Sequence, residues 1–203
     1  MYVEKLREAG YEEALLGMSL SYYDHAIPLK EFWTEEKIAK AAKQASVLAF
    51  KQGGHNKFLE SMQVWVFIQA TRGFWQEFDT YRVGMTKQSA STMHTLDKRS
   101  VTLEDFSKNT SISSVLAFNH CLSCYKNSTD ENYKNITYLK DNLPEGWLQE
   151  RVICTNYKVL QNIYAQRKKH RYKPWQEFLE QLLNQVNHPH FINPDRIASE
   201  CPA

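Results

Sequence analysis

The sequence predicts a mixed α and β protein in which helices outweigh strands, on three observations. Apolar residues recur at helical spacing after Thr34. A β-branched and aromatic run fills Met62–Ile68, and apolar patterns with helical spacing dominate the C-terminal half.

Element by element, Thr34 with Glu35 and Glu36 reads as a helix start, and Ile38, Ala41, Ala42, Ala45, Leu48 and Ala49 carry the apolar stripe until Gly53-Gly54 stops it. The run from Met62 partly alternates, so it is a strand buried on at least one face. Phe74, Trp75, Phe78 and Tyr81 then mark a short amphipathic helix ending near Gly84, with Gln76, Glu77 and Thr80 on its polar side. From Met85 to Ser100 the chain holds almost no large apolar residue, which predicts a polar site loop. Thr102 and Asp105 form a capping pair for another helix start, and Ile112 to Tyr125 is a further apolar stretch. Residues 126–136 read as an exposed loop. Helix is expected from beyond Pro144 to about Gln166, and again from Pro174 through Trp175, Phe178, Leu179, Leu182 and Leu183. The tail 191–203, with Pro194 and Pro202, is expected to fray.

Composition narrows the class. A chain of 203 residues suits one domain, and 42% hydrophobic with 24% charged residues excludes wholesale disorder. A net charge of +2 is too small for general nucleic-acid or membrane-surface binding, so anion recognition must come from local clusters. No apolar run is long enough to span a bilayer, and the charged start does not resemble a secretion signal. An intracellular, cytoplasmic location follows as the expectation, with no membrane partner and nucleic acid disfavoured. Cys121, Cys124, Cys154 and Cys201 then read as reduced thiols, and the sequons at Asn109, Asn127 and Asn135 as chance matches.

Four groups of residues invite chemistry. His120-Cys121-x-x-Cys124 has metal-ligand spacing, but no second pair completes a tetrahedral site, so the cysteines are assigned to packing and no metal is expected. The run Arg167–Lys173 holds five cations in seven residues, enough to grip a phosphate, and equally suited to a solvated helix end. Arg167 stands out, close to a face shared with Asn156, Lys158 and Asn162. Glu60 and Glu77 sit beside apolar neighbours, where burial would raise a carboxyl pKa, a functional and a merely structural role being evenly matched, and His55 follows two glycines that either allow close backbone approach to a ligand or simply end a helix. Trp65, Trp75, Trp147 and Trp175 are read as core or interface residues.

In order, these segments resemble the flavin-dependent thymidylate synthases. The family's G-H-x-[ST]-x-F-E-H turn, strand and helix leading to an R-H-R motif are similar to Gly54-His55-Asn56-Lys57-Phe58-Leu59-Glu60, the strand 62–70 and Thr80-Tyr81-Arg82. Leu20-Ser21-Tyr22 resembles its V-S-F segment. Its N-x-R-x-L-x-N-F-x-x-x-x-R pattern reappears as Asn156, Lys158, Leu160, Asn162 and Ile163, then Arg167, followed by Trp175-Gln176-Glu177. The likeness covers roughly 19–94 and 143–180 and leaves 95–142 without a counterpart.

The resemblance implies an α+β protomer, helix-rich around a central antiparallel or mixed sheet, with 1–203 as one domain that assembles as a homotetramer. It implies FAD held by Ser21, His55, Glu60, Arg82, Asn156, Lys158 and Asn162, with NADPH and methylene-tetrahydrofolate as co-substrates. A pyrimidine deoxynucleotide would meet Gln76, Gln88, Ser89, Ser91, Arg151 and Arg167, with Ser89, Ser91 and Arg167 nearest the chemistry. The implied reaction is methylation of dUMP to dTMP. Alternatives are another pyrimidine nucleotide or a hydroxymethyl product on the same fold, and a silent nucleotide- or nucleic-acid-binding relative. The departures cluster at the nucleotide. R-H-R keeps only Arg82, and the family's serine and phosphate arginine are replaced by Ala90 and Thr92. Lys87, His94 or Arg99 would have to take over.

Overall fold

Among the described residues, 1–51 and 53–196 of the computed structural model, four strands form an antiparallel sheet. They are β1 Tyr2–Ala9, β2 Gln63–Thr71, β3 Met85–Ser89 and β4 Leu148–Asn156, in the order β1-β2-β4-β3. Among the same described residues nine α-helices accompany them: α1 Tyr11–Ser19, α2 Leu29–Phe32, α3 Glu35–Leu48, α4 Arg72–Phe78, α5 Thr92–Thr95, α6 Ile112–Asn127, α7 Ile136–Asp141, α8 Tyr157–Arg167 and α9 Pro174–Leu183. The α+β class expected from the sequence is the class observed. No described helix is long and apolar enough to cross a membrane.

Local chemistry accounts for most elements. The Thr34 hydroxyl accepts from the Lys37 amide at 3.4 Å and caps α3, as its position ahead of two glutamates implied. In β2, Val64, Val66, Ile68 and Ala70 are fully buried while their alternates are half-buried, which is how a central strand looks when one face packs harder. Pro174 opens α9, whose Trp175, Phe178, Leu179, Leu182 and Leu183 are buried.

Several expectations are corrected. Met85–Ser89 is an edge strand and Thr92–Thr95 a helical turn, not one continuous loop. An edge strand can be polar on both faces, so apolar alternation was absent. The helix expected from 144 to 166 is strand β4 followed by α8, because Val152, Ile153 and Cys154 belong to a strand. The amphipathic helix ends at Phe78, before Tyr81. Thr102 and Asp105 do form a capping box, but around the 3-10 turn Leu103–Asp105 rather than a long helix. Strand β1 went unseen, since only Val3 of its eight residues is buried. Its edge is covered by α9: Gln181 accepts from the Val3 amide at 3.0 Å, while Gln185 accepts from the Lys5 amide at 2.9 Å and donates to the Val3 carbonyl at 2.8 Å. Phe191 and Ile192 are fully buried, so the frayed tail does not begin there. Cys201 and the rest of that tail lie outside the described residues.

The chain divides into two compact units. The first comprises Met1–Tyr2, Ile68–Tyr81 and Lys87–Val152. Its core gathers Leu96, Val101, Phe106, Val115, Phe118, Leu122, Leu139 and Leu143. The second comprises Val3–Phe67, Arg82–Thr86 and the segment from Ile153 onward. Leu15, Ala45, Leu59, Met62, Tyr157, Ile163, Trp175 and Phe178 are among its buried residues.

Candidate functional site

In the second unit a cavity of about 870 Å³ is walled by α1, the 3-10 turn after it, the end of α3 and the turn Lys57–Glu60. Two glycines make this shape possible. Gly53 and Gly54 have φ of 77° and 84°, a left-handed conformation that carries the chain around the end of α3 and leaves His55 exposed at the rim. Buried Asn56 locks the turn by donating from Nδ2 to the Ala49 carbonyl at 3.0 Å. Phe58 and Leu59 then anchor the next turn inward, which leaves Lys57 and Glu60 exposed.

The lining includes Ser21, His55 and Glu60, three residues expected to touch one ligand, together with Tyr22, Gln44 and Lys57, which the sequence did not single out. The side chains of Ser21, His55 and Glu60 make no hydrogen bond to other described residues. The wall therefore offers a hydroxyl, an imidazole, a carboxylate and an ammonium to whatever enters. Glu60 is exposed, so the burial expected for its carboxyl does not occur.

Arg82, Asn156, Lys158 and Asn162 also belong to this unit but do not line the cavity. Asn156 caps α8, Lys158 and Asn162 lie along it, and Arg82 comes two residues before Gly84, which packs on its start. Asn156 is buried and caps that helix, its Oδ1 accepting from the Val159 amide at 3.0 Å. Thr155 Oγ1 donates to the Gly84 carbonyl at 3.2 Å. A Cβ on Gly84 (φ 68°) would lie 2.9 Å from Val159 and 3.1 Å from Asn156, so only glycine lets the Arg82 segment lie this close to α8. Asn162 is exposed and accepts from Gln166 at 3.0 Å.

Arg167 does not share that face. Five residues along a helix is a rotation of about 140°, which carries it away from Asn162. Its guanidinium lies 4.6 Å from the Trp175 ring centre and 2.8 Å from His170 Nε2.

In the first unit, Arg151 and Lys87 converge on a residue the sequence analysis passed over, Asp79. Arg151 Nη1 donates to both Asp79 oxygens at 2.9 and 3.0 Å, Nη2 donates to Gln149 at 3.2 Å, and the guanidinium stacks 4.4 Å over Trp75. Lys87 Nζ donates to Asp79 at 3.1 Å and to the Phe78 and Tyr81 carbonyls at 3.3 and 2.8 Å. Arg151 Nε is buried without a partner. Two cations thus share one carboxylate. Tyr81, at the centre of the R-H-R-like segment, is buried against Phe78 at 6.2 Å and packs rather than reaching for a ligand. No signal in the sequence pairs Asp79 with a partner on β4; only the fold does.

The other expected substrate residues are in this unit. Gln76 is exposed and donates to Glu145 at 3.4 Å. Gln88 and Ser89 are adjacent on β3, so strand alternation puts Ser89 on the Lys87 face and Gln88 on the other, and exposed Ser91 precedes α5. Arg99 is committed to Asp105, with Nη1 2.8 Å from Oδ2, and His94 is exposed on α5. Among the described residues no cluster of three His, Cys, Asp or Glu side chains could hold a metal ion.

A second cavity of the second unit, about 320 Å³, holds a buried polar network. Tyr157 donates to Glu8 at 3.1 Å and accepts from the His188 amide at 3.1 Å, while the Asn187 amide donates to Glu8 at 3.0 Å. Burial pushes the Glu8 carboxyl and the Tyr157 phenol up, and pushes His188 down to about 4. Neutral His188 stacks on Tyr11 at 3.9 Å.

No protein-family model matches the sequence, and no curated protein matches it. Solved structures do. The flavin-dependent thymidylate synthase of Helicobacter pylori, complexed with FAD and dUMP, has a TM-score of 0.76 at 16% identity, over 96% of this chain and 99% of that one. A second structure of that enzyme with FAD and dUMP gives 0.75 at 16% identity, over 94% and 96%. With its sheet order, its helices and this match over nearly the whole chain, the protein has the fold of the flavin-dependent thymidylate synthases.

Proposed function

We propose that the protein is a flavin- and folate-dependent enzyme that methylates a pyrimidine deoxynucleotide, most simply dUMP to dTMP, with NADPH and methylene-tetrahydrofolate as co-substrates and a homotetramer as its working form. The observation that carries this reading is the cavity that gathers Ser21, His55 and Glu60 from separate stretches of chain. The residues fit an FAD. The cavity's volume of about 870 Å³ lies in the range of roughly 300–1,000 Å³ usual for small-molecule sites. In this reading Lys57 and His55, which line the cavity, would meet phosphate, Ser21 and Gln44 would hydrogen-bond ring edges, and Phe58 would supply an apolar wall. Bound flavin would supply the redox step that turns a one-carbon unit into a methyl group. The chain's own part is to orient, to exclude water and to set charge.

Asp79 favours one second reading, a different acceptor or a hydroxymethyl product. A phosphate approaching Arg151 meets a guanidinium already held on both Asp79 oxygens, so recognition there has to differ from a simple phosphate clamp. Equilibrium dialysis with FAD tests the first step, and turnover with dUMP, methylene-tetrahydrofolate and NADPH tests the second. FAD binding with dTMP formed supports the main reading. FAD binding with turnover only on another pyrimidine nucleotide supports the second. Absence of FAD binding at concentrations well above micromolar overturns both.

A further inference from the structure

The His120-Cys121-x-x-Cys124 segment plays no part in the proposed chemistry, yet the fold brings its histidine and one of its cysteines together. All three residues lie in the second half of α6, which ends at Asn127. His120 Nε2 is 3.6 Å from Cys124 Sγ, one helical turn away. Cys121 and Cys124 are free thiols, each half-buried rather than sealed in the core. Beside Cys121 stands Tyr138 of α7, whose phenol the Cys121 thiol helps push up to about 12, so its hydroxyl keeps its proton and can donate to sulfur. Cys154 is the contrast: among the described residues its thiol faces the Gln63 amide oxygen at 3.9 Å, and burial pushes it up.

Spacing permits the two sulfurs to join. Residues three apart in a helix have Cα atoms about 5 Å apart, inside the roughly 4.4–6.8 Å that a disulfide tolerates. Their Cβ atoms, about 5–6 Å apart, must close to roughly 4 Å. The last turn of α6 has to loosen for that, and Cys124 lies in it, its carbonyl accepting the closing bond from the Ser128 amide at 2.9 Å.

We propose that Cys121 and Cys124 form a peroxide-responsive dithiol, with Cys124 the attacking thiol, His120 its base and Cys121 the resolving thiol. Cys124 gives its proton to His120 Nε2, and the thiolate attacks one oxygen of hydrogen peroxide. The O–O bond breaks, Cys124 becomes a sulfenic acid, and the leaving hydroxide takes the proton from His120 as water. The Cys121 sulfur then attacks the Cys124 sulfur. The S–O bond breaks, hydroxide leaves as a second water with the Cys121 proton, and a disulfide remains. Two thiols are oxidised and one peroxide is reduced. Strain in the helix makes that disulfide easy for a small dithiol to reduce.

The test exposes the full chain to limiting hydrogen peroxide, followed by blocking, digestion and mass mapping of every cysteine peptide. Expected is a Cys121–Cys124 disulfide forming at least roughly tenfold faster than any oxidation of Cys154, and reversed by dithiothreitol. Cys121→Ser should accumulate a dimedone-trapped sulfenic acid at Cys124, and His120→Asn should slow its formation roughly tenfold with the circular dichroism spectrum unchanged. Equal rates at Cys124 and Cys154, no trapped sulfenic acid in Cys121→Ser, or an undiminished rate in His120→Asn would overturn the proposal.

Discussion

The cavity of the second unit and the Asp79 cluster of the first use similar side chains in opposite ways. Around the cavity, Ser21, His55 and Glu60 are exposed and their side chains bond to no other described residue, while buried Asn56, Phe58 and Leu59 anchor the stretch that carries His55 and Glu60. Around Asp79, two cations are spent on the chain's own carboxylate and on helix-end carbonyls, and a tryptophan face covers one of them. Polar groups held by their neighbours' packing remain available to a ligand. Polar groups held by each other stabilise the fold and must be released before they bind anything.

Substitutions should separate the two regions. The largest effect is expected from Arg151→Ala, which strips Asp79 of its bidentate partner, uncovers Trp75 and leaves a hole, at a cost of about 2–3 kcal/mol in chemical denaturation. Next comes the acid limit of stability, set by His188 in the smaller cavity. His188 binds its proton only near pH 4 in the fold and near 6.5 when unfolded, so stability should fall as pH drops from about 6.5 to 4. Glu8, raised above 4.5, works against this, since its contribution is lost as pH rises through its folded value. Replacing His188 with Phe should flatten the acid side of a melting-temperature profile. A smaller change is expected from Asp79→Asn, about 1 kcal/mol, because Asp79 is 45% exposed and solvent screens its pairs. The same variant frees Arg151 and Lys87, and its affinity for inorganic phosphate, read by calorimetry, should rise. Smallest of all, Ser21→Ala and His55→Ala should shift stability by no more than about 0.5 kcal/mol, as neither side chain supports the fold.

How far the sequence alone reached follows the same division. Helix α3 and strand β2 were legible because Ala41, Ala45, Val64 and Val66 keep strict periods. The cavity was partly legible: the Gly53-Gly54 turn and its flanking residues are local, so a resemblance in that stretch sufficed to name His55 and Glu60. Strands β1 and β3 were not, since edge strands bury few residues and show no alternation. Asp79 escaped for a different reason. Its partner Arg151 stands on β4, 72 positions further along the chain, and no pattern of residue types reports such a pairing. The shared face proposed for Asn162 and Arg167 failed on helix geometry, since Trp175 and His170 draw the arginine aside.

FAD binding to the wild-type chain and to His55→Ala and Glu60→Ala variants, titrated by flavin fluorescence with melting temperatures measured alongside, tests the central claim most directly. Binding at micromolar concentrations or tighter, weakened about tenfold or more by each substitution while the melting temperature holds, is the result the cavity predicts. Wild-type protein that takes up no flavin, or variants that bind it as tightly as the wild type does, would contradict it.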